Sequence, residues 1–193
     1  MILILVESPN KARAVAQYAR EVFTDEKVLV RATLGHLRDL PEGQLGVNIP
    51  LGFRPEFVIR NPKAVTYLRP LIQSASKVYL AMDPDREGEA IAWHVTKVFE
   101  IELRGKPIQR VSFNAITRKA VQKGLRKGGK INMRLVKAAI GRRVMDRLIG
   151  YKISPRLWAH VDGKDLSAGR VQTAALRILA GAAQERWDVD VDI

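Results

Sequence analysis

Short continuous apolar runs alternate with segments of helical spacing over the first 130 residues of this 193-residue chain. The clearest is Ile2–Val6, a continuous apolar run that is typical of a strand buried on both faces. Lys27–Ala32 and Lys77–Met82 are further predicted strands, and Ile108–Phe113 is a strand candidate. Because helical segments separate them, the pattern predicts an α/β fold with an open, mostly parallel sheet flanked by helices.

The pattern changes after Lys127–Lys130, a Lys-Gly-Gly-Lys turn that predicts a domain boundary. Residues 1–130 are expected to form the α/β domain, and residues 131–193 a small, mainly helical, partial domain. The second part is predicted to contain a long helix over Asn132–Gly150, an irregular stretch over Tyr151–Asp165 and a further helix over Ala168–Ala180.

The charge of the chain is strongly positive and unevenly distributed. There are 33 Lys or Arg and 20 Asp or Glu, which gives a net charge of +13. Between Arg104 and Arg177, nineteen basic residues stand against three acidic ones. Such a concentration of like charge repels itself in a compact state, and phosphate groups relieve the repulsion. The pattern predicts a polyanion partner, with nucleic acid ahead of an anionic membrane surface; a basic face that serves only solubility is the alternative.

Composition excludes several classes of site. The chain has no cysteine, so disulfides, thiol nucleophiles and cysteine-ligated zinc or iron–sulfur centres are excluded. No apolar run approaches the roughly 18 residues that a membrane-spanning helix needs. We therefore expect no membrane partner and a cytoplasmic, nucleoid-associated location.

Four acidic residues follow two of the predicted strands. Glu7 comes directly after the first strand, and Asp83, Asp85 and Glu87 follow Lys77–Met82. In open α/β sheets, binding sites form at the carboxyl ends of the strands. If the two strands are neighbours, the four carboxylates converge, and hard oxygen ligands favour magnesium. The alternative is that the two aspartates form a turn, that Glu87 is a helix N-terminal acid and that Glu7 only ends a strand.

Six segments in this order resemble the type IA DNA topoisomerases. The first four are similar to the family's toprim domain and the residues after it: Val6–Lys11 (VESPNK), Gly35–Pro41 (GHLRDLP), Asp83–His94 (DPDREGEAIAWH) and Ser112–Thr117 (SFNAIT). The last two resemble the start of its helical DNA-gripping domain: Arg142–Tyr151 (RRVMDRLIGY) and Leu166–Gln172 (LSAGRVQ). The resemblance covers Ile2 to about Leu179 and implies a Rossmann-like toprim sheet in the N-terminal part of such an enzyme.

The resemblance also implies roles for particular residues. Asp83, Asp85 and Glu87 would hold Mg²⁺. Glu7 would act beside the leaving 3′ oxygen, as a metal ligand or as a proton donor in cleavage and acceptor in resealing. Lys11 would steady the scissile phosphate, or else only pair with Glu7. His36 would be a further catalytic residue; a loop hydrogen bond is its alternative.

The two later motifs imply a grip on single-stranded DNA. Arg143 and Arg147 are four residues apart and share a helix face, and Asp146, three residues from Arg143, can orient it. Guanidinium groups suit phosphates because their donors form a planar fork. The expected DNA-binding residues are Arg142, Arg143, Asp146, Arg147, Ser167, Arg170 and Gln172; an ion-paired surface helix is the alternative.

None of the four tyrosines matches the family's nucleophilic tyrosine, which lies in a separate domain. We therefore expect an isomerase fragment or shortened homologue that is inactive alone in relaxation. Its partners would be single-stranded DNA and the remaining topoisomerase domains, in the same or a separate chain. A stand-alone single-stranded DNA-binding module is the alternative. A toprim nuclease is a third hypothesis, but it would not need the two gripping motifs.

Overall fold

A computed structural model describes residues 1–160 and 167–189. The strands are β1 (Ile2–Val6), β2 (Val28–Ala32), β3 (Arg38–Asp39), β4 (Val47–Asn48), β5 (Arg54–Pro55), β6 (Val58–Ile59), β7 (Lys77–Leu80) and β8 (Ile108–Arg110). The helices are α1 (Pro9–Arg20), α2 (Pro62–Ser74), α3 (Arg86–Val98), α4 (Arg118–Lys127), α5 (Met133–His160) and α6 (Arg170–Val189).

Four strands form a parallel sheet in the order β2-β1-β7-β8. Strand β1 lies between β2 and β7, with Ile2 opposite Val28 on one side and Lys77 on the other. All five residues of β1 are buried, as its continuous apolar run requires. The predicted α/β class with a flanked parallel sheet is therefore confirmed.

Two apolar layers cover the faces of this sheet. Because side chains alternate along a strand, Leu3 and Leu5 point to one face and Ile2 and Ile4 to the other. The first face packs with Leu68 of α2 and other residues of α2 and α3. The opposite face packs against α1 and α4, as their core residues show: Val15, Ala19, Val121 and Leu125. The helices thus lie on both faces of the sheet, and the carboxyl ends of its strands stay accessible.

The chain forms two compact units. The first contains Met1–Pro41 and Glu56–Ile140; the second contains Glu42–Pro55 and the described residues from Gly141 onward. The short antiparallel pair β3–β6 belongs to the first unit, and β4–β5 belongs to the second. The domain division at residue 130 stays a prediction.

The expectation of an irregular stretch from Tyr151 is wrong for its described part, since α5 continues to His160. Pro155 lies inside this helix. A proline removes one backbone hydrogen bond, and a long helix can continue past such a loss. The rest of the predicted irregular stretch, Val161–Asp165, lies outside the described residues. No helix of the described part is both long and apolar enough to cross a membrane.

Candidate active site

The carboxyl ends of β1 and β7 bring Glu7 and Asp83 together. The two strands are parallel neighbours, so their ends meet at one edge of the sheet. The Glu7 Oε1 atom accepts a hydrogen bond from the backbone N–H of Asp83 at 2.5 Å. Two of the four acidic residues, 76 positions apart in the sequence, therefore meet at the sheet edge where the sequence predicts them.

Lys11 lies between these two carboxylates. It is in the first turn of α1, and its Nζ atom is 2.5 Å from Asp83 Oδ1 and 3.4 Å from Glu7 Oε2. Burial alone lowers the pKa of Lys11, but the hydrogen bond to Asp83 and the charges of both carboxylates outweigh it, so the pKa is raised. Lys11 is therefore a stable ammonium group at neutral pH. Lys11 thus makes the contact with Glu7 that was its alternative role and a shorter one with Asp83, while its phosphate role stays a prediction.

The other two acids of the cluster have separate partners. Asp85 is the N-cap of α3, where its Oδ1 atom accepts from Gly88 N–H at 2.7 Å. The exposed Glu87 places Oε1 2.8 Å from His36 Nε2. Across residues 1–160 and 167–189, no three acidic, histidine or cysteine side chains group as a metal centre would require.

The donor set nevertheless fits a hard divalent cation. Glu7 and Asp83 offer carboxylate oxygens, which are the ligands that magnesium prefers. One cation, the Lys11 ammonium, already lies between them. The side chain of Asp83 is 42% exposed, so a hydrated ion can reach it.

The backbone at Asp83 is fixed by groups that sequence reasoning missed. Arg110 donates from Nη1 to the carbonyl oxygens of Leu80 and Met82 at 3.1 and 2.8 Å, and from Nη2 to that of Asp83 at 2.6 Å. Gly88 approaches so closely that a Cβ atom there would lie 2.3 Å from the Asp83 carbonyl oxygen. These contacts hold the loop at the end of β7 in one position.

Glu89 completes this arrangement from inside α3. Its Oε1 atom accepts from Arg110 Nε at 2.9 Å, and its Oε2 atom accepts from Asn132 N–H at 2.8 Å. Both charged side chains are buried, at 4% exposure for Arg110 and 9% for Glu89. A buried charge is costly unless it is paired, so a lone acid on the apolar face of α3 was the available signal for this pair.

A second cluster surrounds His36. Its ring meets that of His94 edge to face, with centroids 5.6 Å apart. His94 is buried and accepts from Arg38 Nε at 3.1 Å through Nδ1. Burial first, and then the charge of Arg38, lower the pKa of His94 to about 3. Arg38 lies between the rings of Phe57 and Trp93, at 5.3 and 5.1 Å from their centroids.

In the second unit, α5 presents most of the predicted gripping residues. Arg142 and Asp146 form an i,i+4 pair with 3.6 Å between Nε and Oδ2. Arg147 donates from Nη1 to the carbonyl oxygen of Gln44 at 2.7 Å, and its guanidinium lies 5.3 Å from the ring centroid of Tyr151. Arg143 is exposed on the same helix.

The second gripping motif lies at the start of α6. The Ser167 hydroxyl is 3.5 Å from Gln172 Oε1, and both residues are exposed. Arg170 begins the helix, and its side chain lies outside the described residues. The backbone N–H of Ala168 donates to Ser154 Oγ of α5 at 3.0 Å, which ties the two helices together.

Comparisons with known proteins match both parts of the chain. Residues 2–116 match the model of the toprim domain, and residues 130–189 match that of the DNA topoisomerase family. DNA topoisomerase 1 of Aquifex aeolicus is 44% identical over 187 residues, which are 96% of this chain and 33% of that protein. The structure of full-length topoisomerase I from Thermotoga maritima superposes with a TM-score of 0.80 and 36% identity, covering 95% of this chain and 30% of that one.

The chain thus spans about a third of the length of these relatives. Toprim domains are generally metal-binding, which agrees with the carboxylate pair at the ends of β1 and β7. The toprim model matches first and the DNA topoisomerase model second, which is the order that the six sequence segments predict. The relative from Aquifex aeolicus is likewise named DNA topoisomerase 1. The chain belongs to the type IA DNA topoisomerase family and carries its toprim domain.

Proposed function

We propose that this chain supplies the magnesium-dependent cleavage and resealing site of a type IA DNA topoisomerase, together with part of its grip on single-stranded DNA. The observation that supports this most directly is the pair Glu7 and Asp83, which meet at one sheet edge with Lys11 between them. Two carboxylates and an ammonium at an exposed strand end can bind a cation and a phosphodiester side by side.

Asp83, Asp85 and Glu87 would hold the Mg²⁺ ion. When bound, the ion supplies positive charge beside the phosphate. Lys11, which stays charged, binds a non-bridging phosphate oxygen. Glu7 either is a further ligand of the ion or, in its protonated form, gives a proton to the 3′ oxygen as the phosphorus–O3′ bond breaks and takes it back on resealing. His36 orients Glu87 through the contact between Nε2 and Oε1.

The attacking oxygen comes from the tyrosine of a separate domain, in the same or another chain. That tyrosine forms the bond to the 5′ phosphate while the bond to O3′ breaks. Gripping residues hold the strand by its backbone meanwhile: Arg142, Arg143, Asp146, Arg147, Ser167, Arg170 and Gln172. We expect the 193-residue chain alone not to relax supercoiled DNA in the presence of magnesium.

Calorimetric titration with Mg²⁺ tests the metal site. Asp83→Asn should weaken Mg²⁺ binding at least about tenfold, because a neutral amide replaces a charged ligand. Asp25→Asn, at an exposed turn, is the matched control and should bind as the parent does. Equal affinity in both variants would contradict the proposal. Single-stranded oligonucleotide binding that persists without any Mg²⁺ binding would favour a stand-alone binding module instead.

A further inference from the structure

A second concentration of positive charge lies outside the acidic site and the gripping motifs. Between residues 118 and 140 there are eight Lys or Arg and no Asp or Glu. All eight belong to the first compact unit and all are exposed. They are Arg118, Lys119, Lys123, Arg126, Lys127, Lys130, Arg134 and Lys137.

Helix α4 carries five of these residues on one side. Its apolar residues Val121 and Leu125 are buried on the sheet layer that also holds α1. Successive residues of an α-helix turn by about 100°, so the five basic residues of α4 spread over roughly half of its circumference, and Arg118 lies at the edge of the apolar stripe, about 20° from Leu125. Four of them lie within about 100° of each other: Lys119, Lys123, Arg126 and Lys127.

These charges are almost uncompensated. In the described part of the chain, the only ion pair among the eight is Arg118 with Glu21, at 2.9 Å. Glu21 also accepts from Gln122 Nε2 at 2.7 Å. The other seven face solvent, and their mutual repulsion disfavours the compact state unless a polyanion is bound.

We propose that this surface, helix α4 with residues 128–137, binds the phosphate backbone of duplex DNA. Proteins that bind single strands without sequence preference combine basic residues with aromatic rings on which bases stack. Residues 118–140 contain no aromatic residue. A surface of exposed cations without aromatic side chains suits duplex DNA, because the bases of a duplex are already paired and stacked. Such a surface contacts only the phosphates.

The spacing of the charges agrees with this partner. The first and last basic residues of α4 are nine positions apart, which is about 13 Å along the helix axis. That distance spans roughly two to three phosphates of a DNA strand. The surface thus provides backbone contacts in addition to the single-strand grip of the proposed function, and the two can be tested separately.

Salt-dependent binding of a mixed-sequence 20-base-pair duplex tests this surface. The full chain is compared with the quadruple variant K119Q/K123Q/R126Q/K127Q, in which glutamine preserves helix propensity. Each lost phosphate contact reduces the slope of log K against log salt by about 0.9, so the loss of two to three contacts should make the slope less steep by roughly 2 to 3. Duplex affinity at 100 mM salt should fall at least about tenfold.

A variant with the same charge change at other exposed positions is the control: R20Q/K27Q/K63Q/R104Q. The control should keep most of the duplex affinity and slope. In the α4 variant, binding of an oligo-dT strand should change less than about twofold, and Mg²⁺ affinity should not change. Equal losses in the two quadruple variants would overturn the proposal, as would an equal loss for oligo-dT and duplex. Because the Mg²⁺ titration is separate, failure here does not depend on the proposed cleavage site.

Discussion

Arg110 and Glu89 form a buried ion pair behind the acidic site, and its removal has a calculable consequence. Arg110→Met keeps much of the side-chain volume but removes the guanidinium donors to Glu89 and to the carbonyl oxygens of Leu80, Met82 and Asp83. The substitution leaves the Glu89 carboxylate, whose side chain is 9% exposed, without the guanidinium that pairs with it. Removing one partner of a buried pair costs about 3 to 5 kcal/mol.

This loss is large beside the total stability of a domain, which is typically about 5 to 15 kcal/mol. At this chain length, each kcal/mol shifts the unfolding midpoint by about 2 to 4 °C, so Arg110→Met should lower Tm by roughly 10 °C. Lys97→Met removes the exposed pair with Glu100 and is the control, because exposed pairs contribute at most about 1 kcal/mol.

The double variant Arg110→Met with Glu89→Met separates the ion pair from general packing. Replacing both charges by apolar groups avoids the unpaired carboxylate, so the double variant should be more stable than Arg110→Met alone. Scanning calorimetry measures all four proteins, and Mg²⁺ titration follows the site. Arg110→Met should also weaken Mg²⁺ binding, because the loop that carries Asp83 loses its donors. A double variant less stable than the single one, or an Arg110→Met protein as stable as Lys97→Met, would refute this reasoning.

Three further predictions concern other contacts. The depressed pKa of His94, about 3 against 6.5 in the unfolded chain, means that the unfolded chain binds more protons between these pH values. The stabilisation that neutral His94 provides is therefore present above pH 6.5 and is lost as the pH falls. Denaturant titrations should show that the free energy of unfolding decreases by about 3 kcal/mol from pH 7 to pH 4, and His94→Asn should largely abolish this decrease. Gly88→Ala should lower both Tm and Mg²⁺ affinity, because the new Cβ atom would clash with the Asp83 backbone. Gly141→Ala, which has open space around it, should raise Tm slightly. Equal Tm shifts in the two variants would contradict this prediction. Lys106→Met should cost about 2 kcal/mol in urea unfolding, because Nζ donates to three carbonyl oxygens at the end of α2, and an unchanged midpoint would exclude that role.

The four strands of the parallel sheet and their order along the chain were predictable because apolar stretches of β length are strong local signals, whereas the two-residue strands β3, β4 and β5 were not predicted. The run Ile2–Val6 is β1 without any change of boundary, and Lys77–Met82 contains β7. The turn residues after each run also placed the acids at strand ends. Which strands are neighbours is a property of the folded sheet, and it came from the structure, because the sequence left the strand order open.

The buried pair was harder to predict. Arg110 lies in a short strand whose other residues gave no sign that one charged side chain is enclosed. Its partners are carbonyl oxygens, which every residue possesses, so the sequence carries no specific mark of them. Glu89 had a clearer signal, since it lies among the buried residues of α3 while Glu87 is exposed. A buried acid requires a cation from elsewhere, but only the fold identifies which one.

The backbone and the side chain of Asp83 have different contacts. Its N–H donates to Glu7 and its carbonyl oxygen accepts from Arg110, so its backbone is held on both sides. Its carboxylate is 42% exposed and contacts the Lys11 ammonium at 2.5 Å. Asp85 differs because its carboxylate caps α3, and a capping oxygen is held by a helix N–H. Of the two aspartates, Asp83 therefore offers the carboxylate that a cation could bind without uncapping a helix.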